Sequence, residues 1–324
     1  MNRTRSIVIT SALAVGSLAL AACGSSSTST DGASGRVRVD GSSTVAPLTS
    51  AAAEKFKTES PNINVTVATS GTGGGFEKFC RGETDMNDAS RPIKDEEAAI
   101  CKQNGIEFQE LVIANDALSV VVNKENTWAK CLTTAQLKKI WEPKSTVNNW
   151  NQVDPSFPNE PLKLYGPGTD SGTFDYFTDE INGEEGASRT DFSPSEDDNQ
   201  IVQGVSSSKG GMGYFGFTYY EENADKLNLV QVNSGNGCVT PSAASVQDGT
   251  YTPLGRGLFI YPSAKSLGSN TAFQSFLQYY VNNDAEIAEA AQFIPLSPTQ
   301  QTTLQNEYAA VLKMANVSAS PAAS

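Results

Sequence analysis

The sequence predicts an α/β protein with a largely parallel sheet, long enough for two domains. The order strand, turn, helix recurs along the chain, the pattern of crossover connections between parallel strands. Short runs of alternating apolar residues sit between stretches of helical period. A length of 324 residues, with 38% apolar and 18% charged side chains, 27 glycines and 15 prolines, suits a folded chain rich in turns.

Taken in order, Val37 to Val39 reads as a strand, followed by the turn Gly41 to Thr44 and a helix from Val45 to Lys57 capped by Ser43 or Thr44. Ile63 to Val67 alternates as a strand, Ser70 to Gly75 is a glycine-rich turn, and Phe76 to Arg81 opens a helix. Asp85 to Ala89 is a strand, Lys94 to Asn104 a helix and Glu107 to Ile113 a strand, with Asp116 in the loop before a buried strand at Leu118 to Val122. Thr133 caps a helix to Trp141, and Leu162 to Tyr165 leads through a turn into a helix from Phe174 to Ile181. Asn199 to Ser206 is a helix, Lys209 to Phe217 a glycine-studded strand and Leu258 to Tyr261 another strand. Asn270 to Asn282 and Asp284 to Ala291 are helices, and no internal repeat stands out.

Composition removes several function classes. The chain has no histidine, so imidazole-dependent nucleophile systems and histidine-bearing zinc sites are excluded. With 23 basic against 36 acidic residues, the formal charge of −13 argues against sequence-independent binding to nucleic acid. One small anion in a local site remains compatible with that charge.

The amino terminus reads as a targeting segment. Arg3 and Arg5 precede an apolar, small-residue run ending at Ala22, too short for a comfortable membrane span. Leu18 to Cys23 resembles the lipobox of bacterial lipoproteins, which makes residues 1–22 a signal peptide and Cys23 the lipidated residue. The Gly/Ser/Thr-rich stretch that follows, to residue 35, is a flexible tether. An exported chain permits disulfides, and Cys80, Cys101, Cys131 and Cys238 allow three connectivities. Cys80–Cys101 with Cys131–Cys238 is favoured, because the first pair brackets one short loop-and-helix segment.

Three turns share one design: Gly41 to Val45, Ser70 to Gly75, and Asp170 to Thr173. Each follows a strand and opens a helix, where free N–H groups and hydroxyls favour an anion. A capped helix start accounts for any one of them; three together point to a ligand. Arg91, next to Ser90 beyond a strand end, offers a fork for an oxyanion, and Asp116 offers an acceptor. Enzyme-like fragments fail for want of partners: Ser171 has no histidine to activate it, Ser206 to Lys209 lacks companion motifs, and Glu196 to Asp198 lacks calcium-loop spacing.

The segments VDGSSTVAPL, SGTGGGFEKF, NDASRPI, ANDALSVVVN, YGPGTDSGTFDYF and GGMGYFGF together resemble the PstS family, the phosphate-binding proteins of bacterial ABC transporters. The match runs in consistent order over nearly all of residues 36 to 313. It implies a type II periplasmic-binding-protein fold, a Venus flytrap of two α/β lobes with crossover strands. Residues 36–114 and 256–313 would form the first lobe, 115–255 the second, and 314–324 a disordered tail. It also implies a monomer without cofactor or covalent chemistry, lipid-anchored on the outer face of the cell membrane or periplasmic, that captures inorganic phosphate and hands it to the membrane subunits of an ABC permease.

Matched residue by residue, the family's binding positions fall on Ser43, Thr44 and the N–H of Val45, on Thr72 with Ser70 nearby, and on Ser171, Gly172 and Thr173. Many members carry an aspartate where this chain has Arg91, and an arginine where it has Pro167 and Gly168. Arg91 is therefore expected to supply the guanidinium. Phosphate retains a proton near neutral pH and sulfate none, so a carboxylate acceptor would separate the two. Asp116 is the first candidate for it, ahead of Asp88 and Asp170. Competing readings are a receptor for another oxyanion, such as sulfate or molybdate, and a secreted phosphate-ester hydrolase.

Overall fold

A computed structural model describes residues 34–169 and 171–318. The expected signal peptide, Cys23, nearly all of the expected tether, Asp170 and residues 319–324 lie outside the described residues. The chain opens with β1 (Gly35–Gly41), α1 (Ala46–Glu59), β2 (Ile63–Thr69), α2 (Gly71–Cys80), β3 (Met86–Ala89), α3 (Asp95–Gln103) and β4 (Leu111–Asn123). The middle holds β5 (Cys131–Thr133), α4 (Thr134–Trp141), α5 (Trp150–Val153), β6 (Lys163–Gly166) and α6 (Gly172–Phe177), then β7 (Ser193–Pro194), α7 (Asp198–Ser207), β8 (Gly211–Gly216) and α8 (Phe217–Glu222). The short β9 (Leu227–Leu229), β10 (Gln231–Asn233), β11 (Cys238–Val239) and α9 (Ala243–Gln247) precede β12 (Gly255–Pro262). Four helices close the chain: α10 (Ala264–Ser269), α11 (Thr271–Asn282), α12 (Asp284–Ala290) and α13 (Pro298–Met314).

The main sheet runs β2-β1-β3-β12-β4-β8-β6-β7, with β9 also on β4. β1 is parallel to both β2 and β3, and β6 is parallel to β8, as strand–helix–strand units require. The two halves meet through β4 and β12, which pair antiparallel with Arg256 opposite Asp116. Two large apolar cores flank this crossover. One draws on residues from Val37 to Ala114 and from Leu258 to Leu312, packed around Phe56, Phe273, Phe276 and Tyr280. The other draws on Ala117 to Leu254 with Ile294, around Trp141, Trp150 and Tyr214. This is the two-lobed α/β architecture with crossover strands that the sequence implied.

Four local expectations need correction. Glu107 to Ile113 and Leu118 to Val122 are not separate strands with Asp116 in a loop: β4 passes unbroken from one half to the other, and the polar Asn115-Asp116 step is buried in it by cross-strand partners. The run Ser70 to Gly75 is not a turn preceding a helix, because α2 already begins at Gly71, whose φ of +77° suits glycine alone. Neither Ser43 nor Thr44 caps α1, whose N-cap is Val45 without a side-chain bond; Ser42 instead closes the turn before it, its hydroxyl accepting from the N–H groups of Thr44 (3.2 Å) and Val45 (3.4 Å). Order also extends past residue 314, since Ala315 and Val317 still pack against the first core.

Both favoured disulfides are formed, Cys80–Cys101 between α2 and α3 and Cys131–Cys238 between β5 and β11. The second joins the two outer strands of a small sheet, β11-β10-β5, across a separation of 107 residues. Replacing Cys131 and Cys238 together by serine is expected to cost about 2–5 kcal/mol of stability, read as a lowered urea midpoint. An unchanged midpoint would mean that the sheet holds without the bridge.

Candidate anion-binding site

β1 delivers the first turn. Its last residue, Gly41, lies beside Asp88 of β3, whose carbonyl oxygen accepts from the Ser42 N–H at 2.9 Å. A Cβ on Gly41 would come within 2.0 Å of that oxygen, and one on Gly75 would meet Asn87 Oδ1 at 2.1 Å and the Gly41 Cα at 2.5 Å. The two glycines thus let the start of α1 and the first turns of α2 close over one floor. Ser43 and Thr44, in that turn, both line the cavity described below.

β2 delivers the second turn. Asp40, nearly fully buried, accepts from the N–H of Gly41 (2.8 Å) and from the N–H (3.0 Å) and hydroxyl (2.7 Å) of Ser70, and it pairs with Lys78. Burial alone would raise its pKa, but Lys78 and Ser70 outweigh that and lower it. The hydroxyl hydrogen of Ser70 is therefore spent on Asp40, which makes Ser70 a brace for the turn. Thr72 is placed differently: its Oγ1 accepts from the Ser90 N–H at 3.2 Å and lies 3.1 Å from the Ser90 hydroxyl, so one of the two hydroxyls bonds the other and the second keeps its proton for a guest.

The third turn comes from the other half, where the Ser171 side chain accepts from the Thr173 N–H at 3.2 Å and α6 follows. Gly172 presses against the first turn, a Cβ there lying 2.7 Å from Thr44 Oγ1 and 3.3 Å from Ser43 Oγ. The two halves therefore meet at this point. On one side of the contact is a cavity of about 460 Å³ lined by Ser42, Ser43, Thr44, Ser70, Thr72, Ser90, Arg91, Gly172, Asp175, Tyr176 and Arg256, with Lys94 and three exposed carboxylates at its margin. On the other is a smaller one of about 230 Å³ that shares Ser43, Thr44 and Gly172 and is bordered by Asp116, Thr173 and Asp198.

Of the residues anticipated from sequence, Ser43, Thr44, Ser70, Thr72, Ser90, Arg91 and Gly172 converge on the larger cavity. Thr173 and Asp116 border the smaller one, Ser171 serves as a cap, and Val45 is sealed in the first core with its N–H turned to Ser42. Arg91 reaches the cavity, but Glu97 occupies its fork, Nη1 and Nη2 bonding the two carboxylate oxygens at 2.9 and 2.8 Å. Burial alone would raise the Glu97 pKa, and the Arg91 fork outweighs it and lowers it.

The guanidinium that sequence reasoning missed is Arg256. It projects from β12 opposite Asp116, and its Nε and Nη2 bond Asp116 Oδ2 at 3.2 and 3.1 Å. Nη1 donates to the Ser90 carbonyl and Nη2 to Thr44 Oγ1, each at 3.3 Å. These four bonds are long, and a guanidinium has five N–H donors, so an anion beside Thr44 and Ser90 finds one donor free and two weakly held. The only local sign of Arg256 is its place in Gly255-Arg256-Gly257 at the head of a strand, in a chain with few arginines.

The acceptor candidates separate as sharply. Asp116 is taken up by Arg256. Asp88 lies beneath the floor, fully buried, and burial pushes its pKa up to about 8 against the opposing contact with Thr49. The half-buried carboxylate lining the larger cavity is Asp175, on the first turn of α6; burial, then the nearby Glu185, raises its pKa.

A family model described as the PBP superfamily domain matches residues 26–284. The chain is 48% identical over 275 residues to the protein SphX of Synechococcus elongatus, covering 84% of this chain and 81% of that one. It is 40% identical over 293 residues to the phosphate-binding protein PstS of Staphylococcus saprophyticus, covering 90% of each. Among solved structures, a possible phosphate-binding protein from Planctomyces limnophilus superposes with a TM-score of 0.82 at 44% identity, over 86% of this chain and 99% of that one. On this fold, with three Ser/Thr/Gly turns and a guanidinium gathered at one interlobe cavity, the chain belongs to the PstS family of phosphate-binding proteins.

Proposed function

We propose that this protein captures inorganic phosphate in the larger interlobe cavity and delivers it to an ABC-type import permease, tethered outside the cell membrane through a lipid on Cys23. The observation that supports the reading is the meeting of Gly172 with Ser43 and Thr44 beside Arg256, with polar groups of both lobes and of the crossover around one small volume. Ser43, Thr44, one hydroxyl of the Thr72–Ser90 pair, the Gly172 turn and Arg256 donate. Asp175 takes the accepting role first assigned to Asp116, which favours a ligand that still carries a proton. The chemistry is hydrogen bonding in a shielded cleft, with no activated nucleophile among these residues.

Isothermal titration of the soluble chain from Gly24 with phosphate, sulfate and arsenate tests this. Phosphate and arsenate, both protonated near neutral pH, are expected to bind, and sulfate much more weakly. Preference for sulfate would favour a receptor for a fully ionised oxyanion, and turnover of an aryl phosphate would favour a hydrolase.

A further inference from the structure

Arg256 is held by three parts of the molecule at once. Its edges bond Asp116 on β4 and the Thr44 and Ser90 sides of the first lobe, and its flat face lies on the ring of Tyr176, with Cζ 3.4 Å from the ring centroid. Tyr176 belongs to α6, the helix that begins at Gly172, so one short rigid element carries both the second-lobe turn and this ring. The tyrosine is buried, and its hydroxyl donates to the Pro253 carbonyl at 2.7 Å, three residues upstream of Arg256 on the approach to β12. Burial holds its hydroxyl in the neutral, donating form.

A guanidinium donates only in its own plane, so whatever fixes that plane fixes where the remaining N–H groups point. Asp116, Ser90 and Thr44 act on its edges and leave rotation about the Asp116 bonds to be limited from the face. Tyr176 supplies that limit and also removes water from one side of the cation. We infer that Tyr176 is a positioning residue for the anion-binding guanidinium, one that orients Arg256 only when the second lobe is seated and so couples lobe docking to phosphate affinity. The inference rests on the phosphate reading.

The test is a double-mutant cycle in phosphate affinity, by isothermal titration on the soluble chain. Tyr176→Leu is expected to weaken binding about tenfold, as loss of a desolvated cation–π contact does, and Tyr176→Phe, which keeps the ring, to stay within about threefold of wild type. In an Arg256→Lys background, where no planar fork remains to be oriented, the leucine penalty should shrink to about twofold or less. A purely structural tyrosine would give the same penalty in both backgrounds. Full affinity in Tyr176→Leu, equal losses in Phe and Leu, or an additive cycle would each overturn the inference while leaving the phosphate reading intact. Absence of phosphate binding by the wild-type chain would instead bring down that reading. The phenylalanine variant keeps the test decisive if the leucine variant folds poorly.

Discussion

Arg256→Ala will weaken phosphate binding by about 2–5 kcal/mol, the range for truncating a buried, hydrogen-bonded charge, which is at least roughly thirtyfold in Kd. Two losses add. The anion loses its guanidinium donors, and Asp116, which is almost completely buried, loses its cation and becomes an unpaired negative charge near the ligand. Arg256→Lys restores charge without the planar fork and should recover only part of the affinity. Arg91→Ala is expected to have a markedly smaller effect, because the Arg91 fork is already satisfied by Glu97. Titration of the three variants with phosphate settles the ranking, and equal losses for Arg91→Ala and Arg256→Ala would reject the assignment of Arg256 as the principal cation.

The second large effect concerns stability. Asp88 is fully buried, and burial, outweighing a contact with Thr49, raises its pKa from 3.8 to about 8. With the folded value above the unfolded one, the folded state binds the proton more tightly. The stabilisation this gives is complete below the unfolded pKa and is lost as pH rises through the folded pKa, at up to about 1.4 kcal/mol per pH unit in between. Asparagine cannot ionise, so Asp88→Asn should match wild type near pH 4 and become progressively more stable than it, by several kcal/mol once the pH reaches the folded pKa near 8. Urea unfolding of both proteins across that range measures the gap. A difference that does not grow with pH would show that Asp88 is not held as a neutral acid. The position matters to the site because the Asp88 carbonyl anchors the Ser42 N–H, and Thr49 and Tyr280 pack close by from α1 and α11.

Much of this organisation was legible in the sequence. The strand and helix periods between Val37 and Asn104 and the Thr133 cap are set by neighbours in sequence, and the structure keeps most of them within a few residues, with Ser70 to Gly75 drawn into α2. Two failures came from pairings that no sequence pattern announces. Asp116 reads as a loop residue because a carboxylate interrupts an apolar run; it is a strand residue because Arg256, 140 positions away, sits across from it. Arg91 reads as the ligand's cation because nothing in the pattern pairs it with Glu97, which lies near the start of α3 and takes its fork. The last helix, α13, was passed over although its signals are local: Ser297 accepts from the Gln300 N–H, Pro298 occupies the first turn, and Leu304, Tyr308, Val311 and Leu312 face the core.

The interlocked glycines of the floor have a consequence for remodelling this receptor. With Gly41 pinned against a carbonyl and Gly75 against an amide, neither position accepts even a methyl group without prising apart the strands that carry the donors. Variants selected for bulkier guests should therefore accumulate changes around the carboxylate-rich outer margin, while the base of the pouch stays fixed in shape and continues to grip a single tetrahedral head.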